Sequence, residues 1–160
     1  MKILLFTFFF ILNLWANERI ISLSPSITEI LYALGKGNEL VGVSAYSLYP
    51  KEAQSLPVVG SYENPNIEKI LELKPTLVVG QNYNEGILEK LKIFNIKTLK
   101  LNLKRLEKIK ESIDILGKAL DAKESKKLVK NIDDALKNAP KAKKPHSVMI
   151  VYGLREDLRG

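Results

Sequence analysis

The chain of 160 residues contains no cysteine and one histidine, His146. The first absence removes disulfide frameworks, thiolate zinc sites, thiol nucleophiles and lipid attachment through an N-terminal cysteine. The second removes nearly every metal or catalytic constellation that needs two imidazoles, and His146 beside Pro145 reads as an ordinary strand-edge residue. Phosphate-binding glycine signatures are also missing, since no G-x-G-x-x-G or Walker pattern follows an expected strand. A nucleophile, base and orienting group cannot be assembled from this inventory, so no enzyme activity, catalytic residue, metal site or cofactor is expected. Long apolar runs are scarce as well. The one at Ile3 to Leu14 is shorter than the roughly 20 residues that a bilayer core takes.

That run follows Met1-Lys2 and ends in Leu14-Trp15-Ala16 before polar Asn17-Glu18, the layout of a cleavable secretory signal peptide over residues 1–16. A permanent anchor is the weaker reading. Export without cysteine suits a periplasm-like space, where disulfides are permitted and not required.

The formal charge of +7 comes from 25 Lys+Arg against 18 Asp+Glu, and its distribution is uneven. Residues 100–144 hold 14 basic and 7 acidic side chains, and the rest of the chain holds 11 of each. A basic stretch can signal nucleic acid or membrane lipid. Here the lysines interleave with Glu107, Glu111, Asp114, Glu124, Asp133 and Asp134 at helical spacing, which favours a solvated helix face and no nucleic-acid partner.

From Ile20 the pattern alternates between strand and helix. Ile20 to Leu23 reads as a strand, and Ile27, Ile30, Leu31 and Leu34 recur at helical spacing. Ser24 can cap that helix with Pro25 at its first position, or Ser26 can form a capping box with Glu29. The helix then closes at Gly35 or Gly37. Leu40 to Val43 is a second strand. Periodicity disappears from Ser44 to Pro65, where Tyr46, Tyr49, Pro50, Pro57, Gly60, Tyr62 and Pro65 form a turn-rich connection. A long loop of this kind in a compact domain is usually functional.

A short helix follows from Asn66 through Ile67, Ile70, Leu71 and Leu73, then a buried strand at Thr76 to Gly80 and a polar loop at Gln81 to Asn84. The next helix places Ile87, Leu88, Leu91 and Phe94 on one face, and Lys97 to Leu101 is a strand. Two helical stretches come after it, one carrying Leu106, Ile109, Ile113 and Leu116, the other spanning about Lys123 to Asn138. A break is expected near Asp121-Ala122. Beyond the Lys- and Pro-rich connector, Ser147 to Tyr152 opens one more apolar strand, which needs partners to bury both faces.

Four segments carry a resemblance. Arg19-Ile-Ile-Ser-Leu-Ser-Pro-Ser-Ile-Thr-Glu-Ile-Leu-Tyr-Ala-Leu-Gly35 resembles the opening of the periplasmic-binding family for cobalamin and ferric siderophores. Leu40 to Pro50, Val59 to Ile70 and Leu73 to Gly80 resemble that family's second strand with its ligand loop, its next loop with a docking helix, and its third strand. The resemblance implies a substrate-binding protein that hands a ligand to an inner-membrane ABC importer. It also implies an α/β fold of two parallel-sheet lobes joined by a long helix.

On that mapping residues 17–103 form the N-terminal lobe, 104–145 a helical segment including the interlobe helix, and 146–160 the start of a second lobe that is otherwise missing. The implied ligand is cobalamin, another corrinoid, a ferric siderophore or haem. The tyrosine-rich loop favours the corrinoid, because siderophore binders usually offer cations to an anionic chelate and Lys51 is nearly all that these loops supply. The expected partners are the permease and a small metal chelate bound by a monomer, and a non-binding one-lobed module is the remaining alternative.

Ligands of α/β sheets sit outside the carboxyl ends of the strands. Three loops leave such ends, with Ser24 and Pro25 on the first, Tyr46, Tyr49 and Tyr62 on the second, and Gln81 and Tyr83 on the third. Tyrosine combines a broad apolar face with a polar tip, which suits a large flat ligand. These seven residues are the expected ligand-binding set, although some tyrosines can equally pack a loop against the lobe, and Pro25, like Gly60, reads more as backbone punctuation. The resemblance assigns Glu68 to permease docking. Its other reading is a first-turn carboxylate favoured by the helix dipole.

Overall fold

The structure is a computed structural model, and it describes residues 18–140. The expected signal segment at 1–16 and the expected strand at Ser147 to Tyr152 lie outside the described residues.

Strands β1 (Ile20–Ser22), β2 (Leu40–Val43), β3 (Leu77–Gln81) and β4 (Lys97–Leu101) form one sheet in the order β2-β1-β3-β4. Every pairing is parallel, with Ile21 opposite Val78 and Val79 opposite Leu99. Both faces of a parallel sheet are covered, which is why β1 and β3 are buried on successive residues, whereas the edge strand β4 exposes Lys97 and Lys100. Ile20, Leu77 and Val79 point to one face and pack with α1 (Pro25–Ala33) and α4 (Leu106–Ala119) through Ile27, Leu31, Ile113 and Leu116. Ile21 and Val78 point to the other face, against α2 (Ile67–Glu72) and α3 (Glu85–Lys92) through Ile70, Leu88 and Leu91. Each such side chain fully buried stabilises the fold by about 1.5–3 kcal/mol. The result is a three-layer α/β unit.

Helix α1 settles the choice between caps. Ser24 holds extended backbone, its hydroxyl accepts from the Ile27 N–H, and Pro25 takes the first helical position. The helix closes with Gly35 at φ +74°, where the Gly35 and Lys36 N–H groups reach back to Tyr32 and Leu31. A left-handed closure of this kind suits glycine because it has no Cβ. Gly37 instead opens a 3-10 turn, Gly37–Glu39.

Two expectations are corrected. Phe94 does not share the buried face of α3, because the helix ends at Lys92, Asn95 turns at φ +58°, and Phe94 and Ile93 are left exposed. The Ser44 to Pro65 connection is more ordered than its lack of periodicity suggests. It holds a 3-10 helix at Lys51–Ser55 with Ala53 buried, and Val58 bridges to Val43 at the end of β2.

Helix α5 (Ser125–Lys137) follows a turn at Asp121-Ala122, with Asp121 at φ +47°. It packs on α4 through the Lys110 to Asp133 ion pair at 2.8 Å, and Leu128, Val129 and Ile132 lie half-buried against the core. Because Ile113 and Leu116 of α4 belong to the same core as β1, a boundary near residue 103 falls within one shared apolar layer. Among the described residues no helix is long and apolar enough to cross a membrane.

Candidate functional site

The chain runs from β1 to the edge strand β2 and returns to β3 on the opposite side of β1. The loops leaving β1 and β3 therefore diverge at the carboxyl edge, the place where α/β sheets open a crevice. Gln81 crosses this point. Its Nε2 donates to Ser24 Oγ at 2.9 Å, so two expected site residues hold the two loops together. Ser24 is 1% exposed and spends its hydroxyl on this bond and on the α1 cap. Pro25 is half-buried at the first turn.

The long loop is tied to the same edge by buried hydroxyls. Thr28 Oγ1 donates to Ser22 Oγ at 2.9 Å and meets Ser47 Oγ at 3.2 Å, and Ser47 in turn meets Ser44 Oγ at 3.3 Å. The Ser44 N–H donates to the Ser22 carbonyl, and the Ala45 N–H to the Gly60 carbonyl. With these anchors beneath it the loop turns its aromatic residues outward. Tyr46 is 76% exposed and Tyr49 70% exposed. Tyr46 has φ +65°, a left-handed conformation that side chains with a Cβ rarely hold, and Tyr49-Pro50 is a cis peptide.

Tyr62 and Tyr83 come from different loops and meet edge to face, with ring centroids 5.7 Å apart and planes at 76°. They are 40% and 49% exposed, so the pair is held together and still offers ring surface to solvent. Glu63 holds the Tyr62 phenol above its ordinary pKa, by a hydrogen bond first and its charge second. Burial does the same for Tyr83, helped by Tyr62 and Glu63 and opposed by Ser24 and Gln81. Both phenols are therefore neutral at physiological pH. Lys51 is the one cation between Ser44 and Tyr62. Among the described residues no cluster of three His, Asp or Glu side chains is placed to hold a metal ion.

Glu68 is exposed in the first turn of α2, which Asn66 caps by accepting from the Lys69 N–H at 2.8 Å. With Glu63, Asn64, Tyr83 and Lys90 it lines an open groove of about 440 Å³ beside the tyrosines.

The structure thus brings Ser24, Gln81, Tyr62 and Tyr83 into one connected cluster, and sets Tyr46 and Tyr49 outward on the loop that leads to Tyr62. Sequence reasoning missed the supports: Thr28, Ser22, Ser44 and Ser47 under the long loop, and Asn84, whose Nδ2 donates to the Tyr62 carbonyl. The available signal was hydroxyl residues interrupting apolar strand ends, at Ser22 closing β1 and Ser24 beyond it, and at Ser44 and Ser47 after β2.

Comparison with known proteins agrees with this geometry. Over 64 residues, 40% of this chain and 23% of the relative, the sequence is 56% identical to the vitamin B12-binding protein of Yersinia pestis (strain Pestoides F). The crystal structure of the periplasmic vitamin B12 binding protein of Vibrio cholerae superposes with a TM-score of 0.69 at 36% identity, over 76% of this chain and 49% of that one. The periplasmic heme binding protein of the same organism gives a TM-score of 0.72 at 26% identity, over 81% of this chain and 52% of that one. The chain spans 23% of the curated relative and about half of each solved structure. A sequence model of the family described as "Periplasmic binding protein" matches residues 20–158, nearly the whole chain. With a parallel sheet, a rim of tyrosines at its carboxyl edge and that family match, the chain belongs to the periplasmic binding protein family.

Proposed function

We propose that this protein is the substrate-binding component of an ABC importer, capturing cobalamin or a related corrinoid in the periplasm and delivering it to the membrane permease. The observation that carries this reading is the exposed tyrosine rim, Tyr46, Tyr49, Tyr62 and Tyr83, at the carboxyl edge of the sheet with Lys51 as its loop's one cation. A large, flat, amphipathic ligand gains from aromatic faces with polar tips, and an anionic ferric siderophore gains little here. Heme is the second reading, supported by the likeness to a heme binding protein, and the higher identity to the B12 binding protein ranks it below the corrinoid.

In this reading the protein is a monomeric carrier and not an enzyme, it needs no cofactor of its own, and residues 1–16 are a signal peptide removed on export without lipid attachment. Helix α5 leads from the described lobe toward a second lobe opened by residues 146–160, and the ligand lies between the two. Ser24 and Pro25 shape the first loop, and Gln81 holds the third against it. Glu68, exposed beside the rim, docks the carrier on the permease.

The test is calorimetric titration with cyanocobalamin, hemin and a ferric siderophore. Tyr46→Ala combined with Tyr49→Ala lowers corrinoid affinity by about tenfold or more, as expected for exposed aromatic anchors, and leaves folding intact. Equal affinity in the double variant refutes the assignment of those rings, and a flat titration of the unaltered protein points to a non-binding module. Glu68→Ala slows uptake into cells with affinity unchanged. Loss in both assays means that Glu68 supports the fold instead.

A further inference from the structure

Tyr62 and Tyr83 face each other from two loops that share no strand, and among the described residues one polar contact joins those loops. Asn84, 2% exposed, donates from Nδ2 to the Tyr62 carbonyl at 2.7 Å and accepts at Oδ1 from the Gln81 N–H at 2.9 Å. A carbonyl only accepts and an N–H only donates, so both contacts together fix which way the amide points. An ionised carboxylate lacks the donor and an aliphatic side chain lacks both groups. Gly80 closes the site from behind, since a Cβ there would come within 3.0 Å of the Asn84 side chain. The amide thus has one seat and one orientation, with a tyrosine loop attached at each end.

We propose that Asn84 is the positioning residue of the ligand rim: it sets Tyr62 against Tyr83 as one fixed aromatic face and raises ligand affinity without touching the ligand. The ligand half of this statement rests on the capture reading above, and the ring geometry does not. A fixed pair binds more tightly than a mobile one because its ordering cost is met on folding and not on binding.

Asn84→Asp provides the discriminating test. The substitution keeps shape and the acceptor toward Gln81, and a protonated carboxyl can donate to the Tyr62 carbonyl where an ionised one cannot. Burial and the facing carbonyl raise the pKa of the introduced carboxyl, against the Gln81 N–H and the N-terminus of α3, which favour its ionised form. Other ionisable groups around it are Glu63 and Glu68 across the groove, Tyr83 on its own turn, Lys90 on α3 and Glu85 next in sequence, and the unaltered protein carries all of them as a control.

The measurement is NMR cross-peaks between the Tyr62 and Tyr83 rings, with cyanocobalamin titrations, at about pH 5 and pH 8. In N84D both the cross-peaks and the affinity are expected to fall at the higher pH, the affinity by about tenfold or more, and to return at the lower pH, while the unaltered protein changes little. Cross-peaks that persist at the higher pH, or that stay lost at the lower one, overturn the proposal. If the unaltered protein binds no corrinoid, the capture reading fails and the ring cross-peaks still decide the role of Asn84. A readout on the unaltered protein covers the case in which N84D does not fold. Its Asn84 side-chain amide protons exchange slowly and couple across the hydrogen bond to the Tyr62 carbonyl, and a freely exchanging amide overturns the proposal.

Discussion

Thr28→Val tests whether the buried hydroxyls beneath the loop that follows β2 hold it in place. The two side chains have nearly the same volume, so the change removes a hydroxyl and opens no cavity. Thr28 Oγ1 lies 2.9 Å from Ser22 Oγ, 3.2 Å from the Ser24 carbonyl and 3.2 Å from Ser47 Oγ. One hydroxyl has one proton to give, so it donates to Ser22 or to Ser24 at any moment and accepts from Ser47. Two hydrogen bonds are therefore lost. The Ser24 carbonyl keeps the Ser22 hydroxyl and the Thr28 N–H as donors, and Ser47 keeps only its longer 3.3 Å contact to Ser44. At about 1 kcal/mol per net bond, with Ser47 left poorly satisfied, the loss is about 2 kcal/mol. A urea slope of about 1–3 kcal/mol per molar converts that to a midpoint lower by about 1 M. Hydrogen exchange should quicken in the segment from Ser44 to Leu56, which carries Tyr46 and Tyr49, before it quickens in the sheet. An unchanged or higher midpoint would mean that desolvating these hydroxyls costs as much as their bonds return, and the anchoring argument would fail.

Tyr46→Gly should separate stability from binding. Relief of the left-handed strain at φ +65° is worth about 1–2 kcal/mol, and the extra freedom of glycine in the unfolded chain takes back about 0.4–1 kcal/mol. The melting temperature is expected to rise slightly while corrinoid affinity falls, and a lower melting temperature would show that the Tyr46 ring packs the loop. Asp133→Asn probes the α4 to α5 contact through pH. The hydrogen bond from Lys110 holds the Asp133 carboxyl below its ordinary value, so the pair stabilises the fold above the normal carboxylate range and that contribution is lost as pH falls through the folded value. Lys110 is raised by the same bond, so its share is complete below the ordinary ammonium value and is lost as pH rises through the folded one. The variant should have a lower urea midpoint at neutral pH, with the gap closing in acid. A gap that persists in acid would assign the effect to packing.

Much of the lobe was legible because its signals are local. The apolar runs at Ile20 and Leu77 and the expected strand at Lys97 to Leu101 became strands, one of them displaced by a residue at β3, and the Ser24-Pro25 pair marked the start of α1. The break at Asp121-Ala122 and the extent of α5 were readable from helical spacing alone. Phe94 was misread because apolar spacing can run on past the point where the backbone leaves the helix. Its periodicity continues past Lys92 while the backbone turns away, leaving the ring in solvent.

For the site, sequence supplied residue types and tertiary structure supplied neighbours. Tyr62 and Tyr83 are visible as tyrosines in loops, and their edge-to-face pairing depends on β3 lying beside β1 and on an asparagine amide reaching across to a carbonyl 22 residues earlier. Ser24 was legible as a cap of α1, and only the tertiary structure shows that its buried hydroxyl also accepts from Gln81. Caps, turns and strand runs follow from each residue's own conformational preferences and its nearest neighbours, so the sequence by itself determined them. Which loops meet at the carboxyl edge was decided only when the sheet order closed, because the free energy of a buried hydrogen bond or ring contact belongs to both partners and is legible in neither segment alone.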